Sequence, residues 1–509
     1  MDLPNTIKTT KEVFIMFSLT PDFEQLSFDE QISQVNELPN RNPVKFLQLL
    51  NANIDLPTLI PQSFYMAYHA SETNERSYPL EPILAVALLM HFFKFANVSN
   101  FCTLLYLSPI TCEFCRLPVD SIPGESVMSK FKIKFENELK LFFENLSLEV
   151  MGIFTQFNES LPDNSPLKDL NEIEIYDTTG LKPKVKENNP KTVESEVRRQ
   201  SNYKKYLESK GQGENFNPYA AAYKNLPKFA SANPAVKLDY SNGHFGYFYK
   251  FGMVSNGYGI PLHIHFFDDN FYRSLPSEFS SVEEQKYTYD NASLCPVLSA
   301  FHKRIGDNRF STFLGDSEFD SYDNFGFLNE LGFSKVLIPI NDRNTPDSSQ
   351  KFPVNAAGIP CCSKDHSRSF IYDGRCQGEN RSLRFKFVCP DSYKVNGAWE
   401  CSCGDKCRET NSTVTTYTYP SGNLREFFGV HRGSVEWEET YKIRTVIERE
   451  FSSMKSHPAL ERPNTYNCAS MRADVYLNAA TKLLTVMLAF ALGHPEYMRN
   501  LNKLLKNVA

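Results

Sequence analysis

Ile173-Glu174-Ile175-Tyr176-Asp177 is a short run of β-forming residues that ends on a carboxylate, and the segments downstream of it set the fold class. After a long polar interval come two aromatic and β-branched runs, Phe245 to Val254 and Leu262 to Phe267. Ser255-Asn256-Gly257 between them reads as a hairpin connection. A helical stretch from Ser293 to Ile305 precedes a fourth run, Ser311 to Leu314, which leads into Gly315-Asp316. A helix (Asn324 to Leu331) and a strand (Val336 to Ile340) complete the series. Three strands and then alternating helix and strand predict an α/β core, a mixed sheet flanked by helices. Asp177 and Asp316 stand at the ends of the first and fourth strands, where open α/β sheets place their ligands.

Bulk properties constrain the class. A chain of 509 residues exceeds one compact core, so two to four domains are expected. With 41% hydrophobic and 22% charged residues, disorder and fibrous classes are excluded. The apolar runs Ile83 to Phe93 and Leu483 to Leu492 fall short of the roughly 20 residues that span a bilayer, and read as core helices. Met1 to Phe17 lacks the pattern of a secretory signal, so a cytoplasmic protein without a membrane partner is expected, nucleoid-associated if it binds DNA. The net charge of -6 does not advertise nucleic-acid binding, although phosphates are met by a local patch rather than by the total.

The division expected along the chain has four parts. Residues 1-165 read as a helical domain, either for packing or as a DNA-binding head. In it, Leu80 to Phe95, Phe101 to Leu107 and Phe131 to Val150 are helical, and Ile122-Pro123-Gly124-Glu125-Ser126 is a turn into a helix start. Residues 170-341 form the first part of the core, interrupted by an insertion over 178-240. That insertion holds twelve Lys or Arg against six Asp or Glu, interleaved with Tyr203, Tyr206, Phe216, Tyr219, Tyr223 and Phe229. This mix suits a surface that tracks a phosphate backbone and touches bases; a solvated loop is the alternative. A second insertion, 342-430, contains seven of the twelve cysteines. Cys389, Cys401, Cys403 and Cys407 are compatible with one tetrahedral zinc site, and equally with buried thiols. Residues 431-509 supply one helix dense in charged and aromatic residues and the C-terminal helices of the core.

The densest chemistry lies in Tyr441-Lys442-Ile443-Arg444-Thr445-Val446-Ile447-Glu448-Arg449-Glu450-Phe451-Ser452-Ser453-Met454-Lys455, where nothing breaks a helix. At about 100° per residue, Tyr441, Arg444, Glu448 and Lys455 share a stripe roughly 60° wide. Ile443, Ile447, Phe451 and Met454 form a separate apolar face. Taken alone, such a charged stripe is also compatible with a solvated face. Trp437, one turn earlier, is a candidate for stacking on a base or for packing in the core. Glu318, Asp320, Asp323 and Glu450 have spacings that suit helix capping or solvent exposure. His263 and His265 read as strand-face residues.

The pattern Tyr, two residues, Arg, three residues, Glu, six residues, Lys resembles the signature of a large group of bacterial insertion-sequence transposases of the DDE class. Tyr441, Arg444, Glu448 and Lys455 match it at all four positions. Ile175-Tyr176-Asp177-Thr178-Thr179 resembles that group's first-carboxylate strand, and Leu314-Gly315-Asp316-Ser317-Glu318-Phe319-Asp320-Ser321 its second. Tyr78 to Phe135 is similar to the helical domain that often precedes the catalytic core, so the likeness extends from about residue 60 to 490. Acidic net charge is a departure from the common pattern.

The resemblance implies a ribonuclease-H-like catalytic core with Asp177, Asp316 and Glu448 as catalytic carboxylates and metal ligands. It implies Mg²⁺ or Mn²⁺, two ions, since a pair of divalent metals about 3.5–4 Å apart activates the water and stabilises the leaving oxygen. Tyr441, Arg444, Lys455 and Trp437 are then the phosphate- and DNA-binding residues. The implied reaction is cleavage at insertion-sequence DNA ends and 3′-hydroxyl strand transfer into target DNA. Its partners are double-stranded DNA, as terminal inverted repeats and as target, and a second copy of the chain in a homodimer. The rival readings are a domesticated non-catalytic DNA-binding protein and a ribonuclease-H-like nuclease without strand joining.

Overall fold

The strand β1 (Ile173–Leu181) lies at the centre of a mixed sheet. The structure, a computed structural model, describes residues 42–70, 76–95, 97–118, 120–163, 165–212, 215–241, 244–275, 290–306, 309–341, 355, 359–376, 384–403, 415–418, 424–425 and 427–507. The remaining strands of the sheet are β2 (Phe229–Ala230), β3 (Asn233–Ser241), β4 (His244–Asn256), β5 (Pro261–Phe266), β6 (Thr312–Leu314) and β7 (Lys335–Leu337). Their order is β2-β3-β4-β1-β6-β7, with β5 paired to β4. β4 runs antiparallel to β1 and to β5, whereas β1, β6 and β7 are parallel. The fold is thus α/β with a mixed sheet, as the strand and helix order predicts.

Ile173 to Tyr176 are all buried, as befits a strand covered on both faces. The strand does not end at Asp177, however. β4 is long enough to pair with β1 from Glu174 through Leu181, while β6 pairs only with Ile173, Glu174 and Ile175. Asp177 therefore lies within β1, just past the point where its parallel neighbour stops. Asp316 lies two residues beyond the end of β6. Both carboxylates sit at the carboxyl end of the same parallel pair.

Two glycines shape this sheet. Gly252 of β4, opposite Thr178, leaves room for the Tyr176 ring, whose hydroxyl is 2.6 Å from Ser293 Oγ. Gly259, at φ 74°, turns the β4–β5 hairpin, where Gly257-Tyr258-Gly259-Ile260 makes a loop longer than the sequence predicts.

The residues 178-240 are not a loop. Thr178 to Leu181 complete β1, Asn233 onward extends the sheet, and between them stand two helices. They are α5 (Pro190–Ser209) and α6 (Pro218–Asn225), started by the side chains of Asn189 and Asn217 with a proline in the first turn of each. Earlier helices are α1 (Asn42–Asn53), α2 (Leu80–Phe92), α3 (Glu125–Lys134) and α4 (Glu136–Ser160), with shorter ones between. α3 begins just after Gly124, as the turn at Ile122 to Ser126 predicts, but Phe135 separates α3 from α4 where one helix was expected. Behind the core strands stand α7 (Leu294–Ile305) and α8 (Tyr322–Glu330).

The expected single helix from Tyr441 to Lys455 is two: α9 (Val435–Lys442) and α10 (Thr445–Lys455). Ile443 and Arg444 between them keep right-handed helical dihedrals. Their neighbours are held by i→i−3 bonds, such as Ile447 N to Arg444 O at 3.2 Å, so the axis is tightened at a 3₁₀-type turn rather than broken.

The long helix α11 (Cys468–Ala491) packs against α2 and α4 and forms the middle of the hydrophobic core. Among the described residues it is the one helix long and apolar enough to cross a membrane, yet 83% of its apolar window is buried inside the protein. One core cluster runs from Phe46 to Leu505, joining the N-terminal helices to the sheet and to α10 and α11. A buried polar knot reinforces the junction. Asp474 of α11 accepts from Lys132 Nζ of α3 at 2.8 and 3.0 Å and lies 3.3 Å from His91 Nε2 of α2.

In the cysteine-rich insertion, β8 (Ile371–Cys376), β9 (Arg384–Val388) and β12 (Thr415–Thr418) form a three-stranded sheet. β10 (Ser392–Val395) and β11 (Ala398–Cys401) form a hairpin. Cys389 is buried in a small separate core with Cys362, Phe370, Phe385 and Phe387. Cys403 is half-buried; the Cys401 side chain and Cys407 lie outside the described residues, as does Met1 to Phe17.

Candidate active site

The three acidic residues singled out in the sequence converge on one guanidinium. Arg444 Nη1 is 3.1 Å from Asp177 Oδ2 and 3.6 Å from Asp316 Oδ2, and its Nη2 is 2.5 Å from Glu448 Oε1. β1 supplies the first acid, the turn after β6 the second and α10 the third. Asp316 is fixed locally by accepting from the backbone N–H of Ser317 and caps the short 3₁₀ turn Ser317–Phe319. Arg444 occupies the 3₁₀-type turn between α9 and α10, and Glu448 lies one turn later on the same face.

The rest of the stripe faces the same sheet edge. Tyr441 Oη donates to Gly315 O at 3.4 Å, next to Asp316, and burial pushes its phenol up to about 12. Lys455 Nζ donates to Thr179 Oγ1 at 2.5 Å, two residues along β1 from Asp177; burial lowers its pKa, with Asp177 opposing that shift. Trp437 stacks on Tyr441 with ring centroids 4.8 Å apart, and both rings pack against the core. All seven residues expected at the site are therefore brought together. The apolar face of α10 is oriented as expected, with Ile447, Phe451 and Met454 buried.

Electrostatics here are dominated by Asp177. Burial raises its pKa to about 7, and the charges of Asp316 and Glu448 push the same way. Arg444 and the Thr178 N–H bond pull it down without prevailing. Burial works against the Arg444 charge too, but Tyr441 and the three acids hold its pKa above the ordinary value. Arg444 Nε is buried with no hydrogen-bond partner among the described residues.

Whether a metal fits can be judged from the donors. Three carboxylates provide hard oxygen ligands of the kind Mg²⁺ and Mn²⁺ take, and a divalent ion would offset both the burial that raises the Asp177 pKa and the lesser repulsion from Asp316 and Glu448. The spacing is set by the guanidinium instead: among the described residues no three His, Cys, Asp or Glu side chains stand close enough together to hold a metal ion. The donor set fits, provided that Arg444 yields the centre.

Four residues of this region form a network that no local spacing in the sequence marks. Thr178 Oγ1 donates to Asp290 Oδ2 at 2.7 Å, and Lys250 of β4 bridges Asp290 and Asp239, the latter at 2.9 Å. This network grips β1 one residue past Asp177. Its members come from four segments with no shared spacing, so only tertiary structure assembles them. Two acids expected to cap helices or face solvent are buried. Asp320 forms a bidentate pair with Arg425, both bonds 2.7 Å, and Glu450 lies 3.7 Å from Lys482. Asp323 is exposed in the first turn of α8 and Glu318 is exposed in its 3₁₀ turn, as expected. His263 and His265 lie on β5, both held below the usual histidine range by burial.

Comparison with family models, with curated proteins and with solved structures gave no match.

Proposed function

We propose that the chain is a DNA transposase of the DDE class, built on a ribonuclease-H-like core, that cuts at insertion-sequence ends and joins the exposed 3′-hydroxyl to target DNA. The observation that carries the reading is the convergence of Asp177, Asp316 and Glu448, from three elements far apart in sequence, on a single point. Support also comes from the sheet: the order β5-β4-β1-β6-β7, antiparallel on one side of β1 and parallel on the other, suits such a core.

In this reading Asp177, Asp316 and Glu448 hold a pair of Mg²⁺ or Mn²⁺ ions, which supply an activated water and a stabilised leaving oxygen when bound. The chain's own residues do the positioning. Arg444 offers a planar fork to a phosphate, and Lys455 a point charge beside β1. Tyr441, braced by Trp437, presents its hydroxyl next to the Asp316 turn. Two element ends require two such sites, so a homodimer on double-stranded DNA belongs to the proposal.

The Arg444 contacts also favour a second reading, a non-catalytic DNA-binding protein, because the guanidinium neutralises the acids without metal. Asp316→Asn separates the two. With Mg²⁺ and a duplex made from the DNA that flanks the gene, the wild type should cut and the variant should not, at unchanged circular dichroism. Equal cutting by both overturns the active-site reading, and duplex binding without cutting by the wild type selects the second one.

A further inference from the structure

The helix α5 leaves the sheet shortly after the strand that carries Asp177 and has one buried side chain, Gln200, in its 20 residues. A helix so exposed has no packing reason to bear large rings. It nonetheless shows Tyr203 and Tyr206 at 49% and 57% exposure, and the adjoining α6 shows Tyr219 at 58%. At about 100° per residue, Arg199, Tyr203, Tyr206 and Lys210, just past the helix end, fall within a stripe roughly 60° wide. The order along it is cation, ring, ring, cation. Arg198 and Lys205 are exposed along its flank.

The rings are already arranged. Tyr203 and Tyr206 lie nearly parallel, with centroids 6.3 Å apart and planes at 23°, and the half-buried Phe216 braces Tyr203 edge-on at 5.5 Å. Lys210 Nζ stands 5.9 Å from the Tyr206 ring centre. Arg199 pairs with Glu196 at 2.8 Å, which engages one Nη and leaves the rest of the guanidinium in solvent. Glu196 is itself occupied by Gln200 and Asn225, so the stripe's outward charge is positive.

We infer that this stripe binds an unpaired nucleic-acid strand, with bases on Tyr203 and Tyr206 and phosphates on Arg199 and Lys210. A duplex hides its base faces in the stack and offers exposed rings nothing but backbone. An unpaired strand offers both a planar face and a negative charge at each nucleotide, the alternation the stripe presents. A protein partner would suit the rings but not a row of cations with so little apolar surface between them. The inference does not depend on the carboxylates and holds whether or not they cut DNA.

The test uses the full chain in a chelator, so that cleavage plays no part, with a dye-labelled oligothymidylate and a duplex of equal length followed by anisotropy. The paired change Tyr203→Ala and Tyr206→Ala should weaken oligothymidylate binding at least tenfold, since each stacked base contributes about that much, and should leave duplex binding within twofold. Tyr203→Phe with Tyr206→Phe should restore it. Arg199→Gln with Lys210→Gln should lower the slope of log affinity against log salt by about 1.4, at about 0.7 per phosphate contact on a single strand. Equal binding by the alanine pair and the wild type overturns the inference, as does equal loss on duplex and single strand. No oligothymidylate binding by the wild type also overturns it and leaves a protein-facing surface.

Discussion

Ionising Asp177 at neutral pH charges a carboxyl that burial has stripped of water, with repulsion from Asp316 and Glu448 added, and the folded protein resists it. An unfolded aspartate loses its proton near pH 4, whereas Asp177 keeps its own to about 7. Between those values the unfolded state has released a proton that the folded state still holds. Stability contributed by the protonated carboxyl is complete below about pH 4 and lost as pH rises through 7, on the order of 4 kcal/mol in all. In a chelator the protein should therefore show a thermal midpoint that falls between pH 4 and 7, and Asp177→Asn should flatten that fall. An unchanged slope in the variant would place the titration elsewhere.

Along α10 the two faces make opposite predictions. Ile447 is fully buried, and Ile447→Ala should cost roughly 2–5 kcal/mol in urea unfolding through the cavity it leaves. Lys455→Ala removes one bond to Thr179 from a half-buried position and should cost about 1 kcal/mol; under the proposed function it should also impair end binding or strand transfer. If Lys455→Ala proves the more destabilising, the faces have been assigned backwards. A third substitution probes the loop that closes the core. Arg425→Ala removes the charge partner of the buried Asp320 carboxylate, leaving it the Asn341 N–H, and should lose roughly 3–5 kcal/mol by the same measurement; a loss below 1 kcal/mol would mean that the pair is not buried in solution. These elements also show what the sequence reveals. The stripe from Tyr441 to Lys455 is legible because helical period projects distant residues onto one face, and the strand carrying Asp177 because Ile173 to Tyr176 is a short run of β-forming residues, all buried. The 3₁₀-type turn at Arg444 is not, since Ile443 and Arg444 are ordinary helix residues and the tightening brings Arg444 to the acids. Asp320 and Arg425 are likewise silent, because a buried pair formed across the fold leaves no local period.

For the molecule as a whole, the shared core makes the N-terminal helices and the mixed sheet one unit of stability. Phe143 of α4 lies against Tyr476 of α11, both buried, with centroids 6.2 Å apart. Phe143→Ala should cost roughly 3–5 kcal/mol. It should lower the melting of helical circular dichroism and of Trp437 emission together, read in a Trp399→Phe background. If the Trp437 signal keeps its wild-type midpoint while helix is lost, the two regions unfold independently. The central place of α11 has a further consequence, for biosynthesis. About three hundred residues separate the end of α4 from the start of α11, so at roughly 5–20 residues per second α2 and α4 wait on the order of 15–60 s on the ribosome for the helix that covers them. For that time their apolar faces are open to chaperones and to neighbouring nascent chains. Yield in the cell should therefore depend on translation speed and holdase supply more than the stability of the finished protein suggests.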